Sequence, residues 1–124
     1  MRIASLLLAT LPGAAAAQGF TTPSGLDVTI AEVMVQEEGR TVRLRLLAPV
    51  LGQAGAGYDE VAQDFVWICE AQVLPALADN GLSPGHVVIS IADRPVPFGE
   101  VDGAATQFFE GFDVVDGTCA WALH

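Results

Sequence analysis

The sequence predicts an α+β domain in which one main helix packs on a face of an antiparallel β-sheet, in the order β-β-α-β-β-β with one disulfide. Three observations carry this expectation. Apolar residues alternate with a period of two on both sides of the chain's middle, one segment of helical period lies between them, and the two cysteines, Cys69 and Cys119, fall in the helix and in the last strand. A sheet with one apolar face and a helix with one apolar stripe bury both surfaces when they stack.

Residues 1–17 stand apart from this domain. A single charge at Arg2, an apolar run from Ile3 to Leu11, a break at Pro12-Gly13 and the small residues Ala15-Ala16-Ala17 have the three-part layout of a secretory signal peptide. Cleavage is expected between Ala17 and Gln18. The apolar run is far shorter than the ~20 residues a spanning helix needs, and no cysteine near the cleavage site offers a lipid attachment point. The reading is therefore export to the periplasm without stable membrane insertion. Residues 18–25, with Gly19, Pro23 and Gly25, read as a flexible lead-in, and residues 26–124 as a single domain.

Leu26, Val28 and Ile30 share one face of a first strand whose β-branched content stays high through Val35. Glu37-Glu38-Gly39-Arg40 is a turn in which the glycine can take a positive φ. The second strand, 41–47, turns Val42, Leu44 and Leu46 inward and Arg43 and Arg45 outward, completing a hairpin. Ala48 to Gly57 is an irregular connection; a phosphate-cradling loop would end in Gly-Lys-Ser or Gly-Lys-Thr, and this chain has no lysine.

A helix is expected from about Glu60 to Asp79, with Asp59 as its N-cap and Val61, Phe65, Ile68, Cys69, Val73, Ala76 and Leu77 on its sheet-facing side. Pro75 cannot donate the backbone bond to Ala71, so the last turn should kink or separate, and Asn80-Gly81 should end it. Val87 to Ile91 suits an inner strand, and Pro95 and Pro97 permit only an extended edge segment around Val96 and Phe98. Thr106 to Val115 fits either a helical turn or a strand. The strand is preferred, because Asp116-Gly117 then makes a hairpin turn that sends Cys119, Trp121 and Leu123 along one face.

Removal of residues 1–17 would leave Arg40, Arg43, Arg45 and Arg94 against 15 acidic residues, so the formal charge moves from -10 to -11. Such a surface repels nucleic-acid phosphates and anionic lipid, both of which are bound by clustered positive charge. It favours solubility and could attract a basic partner.

Cys69 and Cys119 admit one intramolecular pairing, in a compartment where disulfides persist. The alternatives are two free buried thiols or reactive or metal-bound cysteine. Their wide separation argues against a Cys-x-x-Cys redox centre and a close-spaced zinc knuckle.

Residues with catalytic potential are sparse. His86 and His124 lie far apart without a supporting carboxylate pattern, and a metal site would require the fold to gather His86, Met34 or a carboxylate beside His124. Ser24, Ser83 and Ser90 lack the Gly-x-Ser-x-Gly setting of a nucleophile elbow. Asp59, Glu60 and Asp64, with the other acids, read as solvated surface. No cofactor is expected and no catalytic or metal-ligating residue is assigned. What stands out is Arg94 beside Phe98, Phe108, Phe109 and Phe112: more aromatic side chains than one face of a thin sheet needs, next to a rigid guanidinium fork. Arg94 could pair with Asp93, Glu100 or Glu110, or receive an anionic ligand. These five residues form the candidate recognition surface.

Four blocks carry a family likeness: Cys69-Glu70, Ile89-Ser90-Ile91-Ala92-Asp93-Arg94-Pro95 with Phe98-Gly99, Ala105-Thr106-Gln107-Phe108-Phe109-Glu110-Gly111-Phe112, and Gly117-Thr118-Cys119-Ala120-Trp121. Through them the chain resembles a family of small exported alphaproteobacterial proteins of Rhodobacter type, known as a domain of unknown function. The resemblance spans essentially all of residues 18–124 and brings no assigned catalytic residues. Members sometimes carry the label acetolactate synthase. That activity needs thiamine diphosphate, magnesium and a much longer cytoplasmic chain, and nothing in this sequence supplies a diphosphate-metal motif. The functional expectation is a periplasmic binding or accessory protein that recognises another protein or a small ligand. The alternatives are a small periplasmic hydrolase using carboxylates or His86, and a metal-binding protein.

Overall fold

The computed structural model describes residues 18–51, 53 and 57–122; the expected signal peptide and His124 lie outside them. The described chain forms β1 (Gly19–Thr21), β2 (Asp27–Gln36), β3 (Thr41–Leu47), α1 (Tyr58–Trp67), a π-helical stretch (Ile68–Val73), α2 (Leu74–Asp79), β4 (His86–Ala92), β5 (Gln107–Val115) and β6 (Thr118–Trp121). The strands form one six-stranded sheet in chain order, β1-β2-β3-β4-β5-β6. The fold is α+β with the helical segment across one face and a Cys69–Cys119 disulfide.

The pairing is antiparallel everywhere except between β3 and β4, which run parallel. The sheet is therefore mixed, because the helix carries the chain back to the starting end before β4 begins, and strands joined by such a crossover run the same way. The first segment also differs from expectation. Residues 19–21, read as part of a flexible lead-in, form β1, with Gly19 opposite Thr29 and Thr21 opposite Asp27. A Cβ at Gly19 would run into the Val28 carbonyl oxygen, so the close approach of β1 requires glycine there.

Val42, Leu44 and Leu46 of β3 stand in register with Val87, Ile89 and Ile91 of β4 and face the helix. With Phe65, Ile68, Cys69 and Phe112 they form the buried core. The ambiguous segment resolves as strand from Gln107 to Val115: β5 aligns Phe112 with Val87 and Phe108 with Ile91. Asp116 and Gly117 both take positive φ, 52° and 76°, in the turn that directs Cys119 toward the helix.

The helix begins two residues earlier than the carboxylate pattern suggests. Gly57 is its N-cap and Glu60 reaches back to accept the Gly57 N–H at 2.9 Å, so Asp59 lies inside the first turn, where its charge still meets the exposed amide ends. The end of the helix is the separate short piece expected from Pro75: the preceding turn widens, with the Leu74 N–H donating five residues back to Cys69, and Pro75 enters near the start of α2, where a missing amide proton costs little. The Cys119 N–H donates to Glu70 at 2.8 Å, tying the same wide turn to β6 beside the disulfide.

Tyr58 joins the start of α1 to β5: its hydroxyl donates to Glu110 and its ring meets Phe108 edge-on at 5.6 Å. That hydrogen bond, followed by burial and the Glu110 charge, raises the Tyr58 pKa above its ordinary 10.0. A raised folded-state pKa means that the stabilisation is complete below the ordinary value and is lost as pH rises through the folded one. Tyr58 is the one tyrosine in the chain, so phenolate absorbance reports it alone. The expected result is an alkaline titration displaced upward in the native protein and shifted back toward the ordinary value in Glu110→Gln.

Candidate functional site

The sheet face away from the helix is built by strand alternation. In β3 the inward positions are Val42, Leu44 and Leu46, which leaves Arg43 and Arg45 on the outer face; the same register places Val88 and Ser90 of β4 beside them, and Phe109 opposite Ser90. Over this face folds the connection between β4 and β5, residues 93–106. It is no edge strand, contrary to the extended segment expected around Val96 and Phe98: Pro95 and Pro97 remove two amide donors, and the segment crosses the sheet as a loop.

The loop is pinned at its neck and at its middle. The Asp93 N–H donates to the Thr106 carbonyl at 2.9 Å, and the Thr106 N–H donates to the Asp93 carboxylate at 3.0 Å. Arg94 pairs with Asp93 at 3.2 Å. Val96 is buried, and its carbonyl accepts Arg45 Nη2 at 2.5 Å. Phe98 then lies against both outward arginines, with each guanidinium carbon 5.6 Å from the ring centroid.

The Arg94 side chain and the Thr106 N–H hold the Asp93 carboxyl below its usual range. A lowered folded-state pKa stabilises the neck above the ordinary carboxylate range, and that contribution is lost as pH falls through the lowered value. Hydrogen exchange of the Thr106 amide should accelerate across that acidic window relative to the neighbouring β5 amides, and in Asp93→Asn it should be fast already at neutral pH.

Two hollows remain beside the loop, of about 270 and about 350 Å³. They share Arg45, Ser90, Pro97 and Gln107 as walls, and the first opens between Arg43, Phe98 and Phe109. Phe98 is 51% and Phe109 59% exposed. Arg45 is committed to Glu32 at 3.1 Å and to Val96, whereas Arg43 gives its Nε–H to Gln36 at 2.8 Å and has no carboxylate within 4.0 Å among the described residues. Ser90 is 5% exposed, and among the described residues its hydroxyl makes no hydrogen bond. Glu100 also lines the first hollow. The cleft thus offers two phenyl surfaces, a guanidinium with no carboxylate partner among the described residues and a buried hydroxyl.

The recognition surface expected from the sequence divides across the sheet. Phe98 and Phe109 stand on the outer face, and Arg94 lies at the loop neck, occupied by Asp93 and lining the second hollow. Phe108 and Phe112 face the helix. Phe112 is 1% exposed and packs on Trp121 with centroids 4.8 Å apart, and Phe108 packs on Tyr58. A period of two in β5 imposes this division. Arg43, Arg45, Ser90 and Gln107 replace them in the cleft; the outward alternation of Arg43 and Arg45 was the sequence signal for them.

His86 is less isolated than its sequence context suggests. Its Nδ1 lies 2.7 Å from Asp113 on the neighbouring strand, with the two side chains 59% and 48% exposed. No hydroxyl or thiol among the described residues hydrogen-bonds to this pair, and its exposure leaves no dry pocket in which a nucleophile would be activated. Among the described residues no three His, Cys, Asp or Glu side chains are gathered to hold a metal ion, and no helix is long and apolar enough to cross a membrane.

Asp64 corrects the reading of the acidic residues as solvated. It is 1% exposed and accepts Thr22 Oγ1 at 2.7 Å, the Ser24 N–H at 3.1 Å and Ser24 Oγ at 2.5 Å. The segment ahead of β2 folds over α1 and supplies these donors.

No curated protein and no solved structure matches the chain. The sequence profile of one family covers residues 6–124, and with it the disulfide, the helix and every strand of the cleft; the chain belongs to the family of unknown function DUF6497.

Proposed function

We propose that the protein is an exported binding or accessory domain that works in the periplasm and recognises a protein or small ligand through the outer-face cleft. The observation that carries this reading is Arg43: a guanidinium without a carboxylate partner among the described residues, in a chain of formal charge -10, set beside the half-exposed rings of Phe98 and Phe109. A guanidinium whose Nη donors face no carboxylate among the described residues, beside apolar walls, suits a ligand with an apolar body and an anionic group, since the rings bury the body and the guanidinium takes a carboxylate or phosphate. The leader-like composition of residues 1–17 and the Cys69–Cys119 bond support export.

Co-purification from the envelope of producing cells, followed by mass spectrometry, tests this reading. A reproducible ligand or partner should accompany the wild type and be depleted at least about tenfold in Arg43→Gln, at a half-buried position, and in Phe109→Ser, at an exposed one, with an unchanged circular dichroism spectrum showing that each variant keeps its fold. Equal capture by all three proteins would remove the cleft from the account.

A further inference from the structure

We infer that the free edge of β2 is a self-association surface, through which two copies of this chain join their sheets edge to edge. The sheet ends on β1, but β1 has three residues and β2 has ten. β1 covers Asp27, Val28 and Thr29, and Gln18 adds one bond, its carbonyl accepting the Ile30 N–H at 2.9 Å. From Ala31 to Gln36 the edge of β2 away from β3 has no strand beside it among the described residues. Alternate residues there direct their N–H and C=O groups to an open side, which is the template for adding a strand.

On its helix-facing side this edge carries apolar side chains, Glu32 and Gln36 belonging to the other side of the alternation. Val33 and Val35 are each 51% exposed on the helix-facing side of the sheet, because the helix covers Val42 and Leu44 but stops short of β2. Between the helical segment and β2 lies a groove of about 500 Å³ walled by Phe20, Val33, Val42, Val73 and Leu77.

A second copy fits this edge in an antiparallel register centred on Met34. Val33 then opposes the partner's Val35 and Val35 the partner's Val33, while Glu32 opposes the partner's Gln36. No like charges meet, and Glu32 is already neutralised by Arg45 at 3.1 Å. An isologous two-fold of this kind keeps both helices on one side of a continuous sheet and brings the two grooves together over four valines. The partner strand would lie in line with β1 along β2.

Sedimentation equilibrium of the protein purified from the envelope of cells producing the full chain tests the inference, with amide exchange of residues 31–36 followed against concentration. The expected result is a dimer whose formation protects these amides, and its loss in Val33→Lys/Val35→Lys, which sets lysine against lysine across the dyad. Both positions are half-exposed, so an unchanged circular dichroism spectrum shows that the variant's fold is kept. A monomer with rapidly exchanging 31–36 amides at every concentration overturns the inference. So does a dimer that survives the double lysine change, or protection that appears only when a different envelope protein is added.

Discussion

Replacing Cys69 and Cys119 together with alanine is expected to lower the unfolding free energy by about 2–4 kcal/mol. The bond joins residues 50 positions apart, so its loss frees a long loop in the unfolded chain, and the entropy of that loop is the main part of the effect. The native-state consequence is local. β6 has four residues and pairs only with β5, at the margin of the sheet. Without the disulfide, the Glu70 contact to the Cys119 amide and the packing of Trp121 on Phe112 remain to hold it. Urea unfolding should show a reduced midpoint, and amide exchange should rise first in Thr118 to Trp121. An unchanged midpoint would show that the bridge does not constrain the unfolded chain.

Asp64→Ala should cost a comparable about 2–4 kcal/mol, although no opposite charge pairs with Asp64 among the described residues. The carboxylate collects two hydroxyls and one amide from Thr22 and Ser24, and Thr22 Oγ1 in turn accepts the Leu26 N–H at 3.1 Å. Alanine leaves these donors facing a buried space without an acceptor, and unmade bonds of buried groups carry the larger share of the cost. Asp64→Asn keeps one acceptor oxygen and should cost about half as much. The difference should appear in denaturant unfolding at constant m value, with β1 amides exchanging faster in both variants. An alanine variant as stable as the wild type would contradict this role.

The sequence made the helix, the β2–β3 hairpin, the inner strand and the C-terminal hairpin readable because each depends on local period or turn chemistry. Phe108 and Phe112 illustrate how far that went. Their alternation with Phe109 was sufficient to place them on the opposite face, but aromatic density drew all three into one surface. What escaped notice depends on contacts between distant segments. Asp64 looks like a solvated helix carboxylate until Thr22 and Ser24, about forty positions earlier, fold over it. β1 is recognisable only through the close approach that Gly19 allows, and the parallel β3–β4 pair follows from where the helix returns the chain. The cleft belongs to the same class, since Arg43 and Arg45 gain their meaning when Phe98 is laid between them by a loop more than fifty positions on.

The central claim is that the outer face of the sheet, under the 93–106 loop, receives the ligand. Hydrogen exchange of the protein with and without the ligand or partner that co-purifies with it tests this most directly. Protection on binding should map to the 93–106 loop and to the β3, β4 and β5 amides around Arg43, Ser90 and Phe109, and it should vanish in Arg43→Gln. Protection confined to the helix, or to the groove between α2 and β2, with the 93–106 loop unchanged, would contradict it.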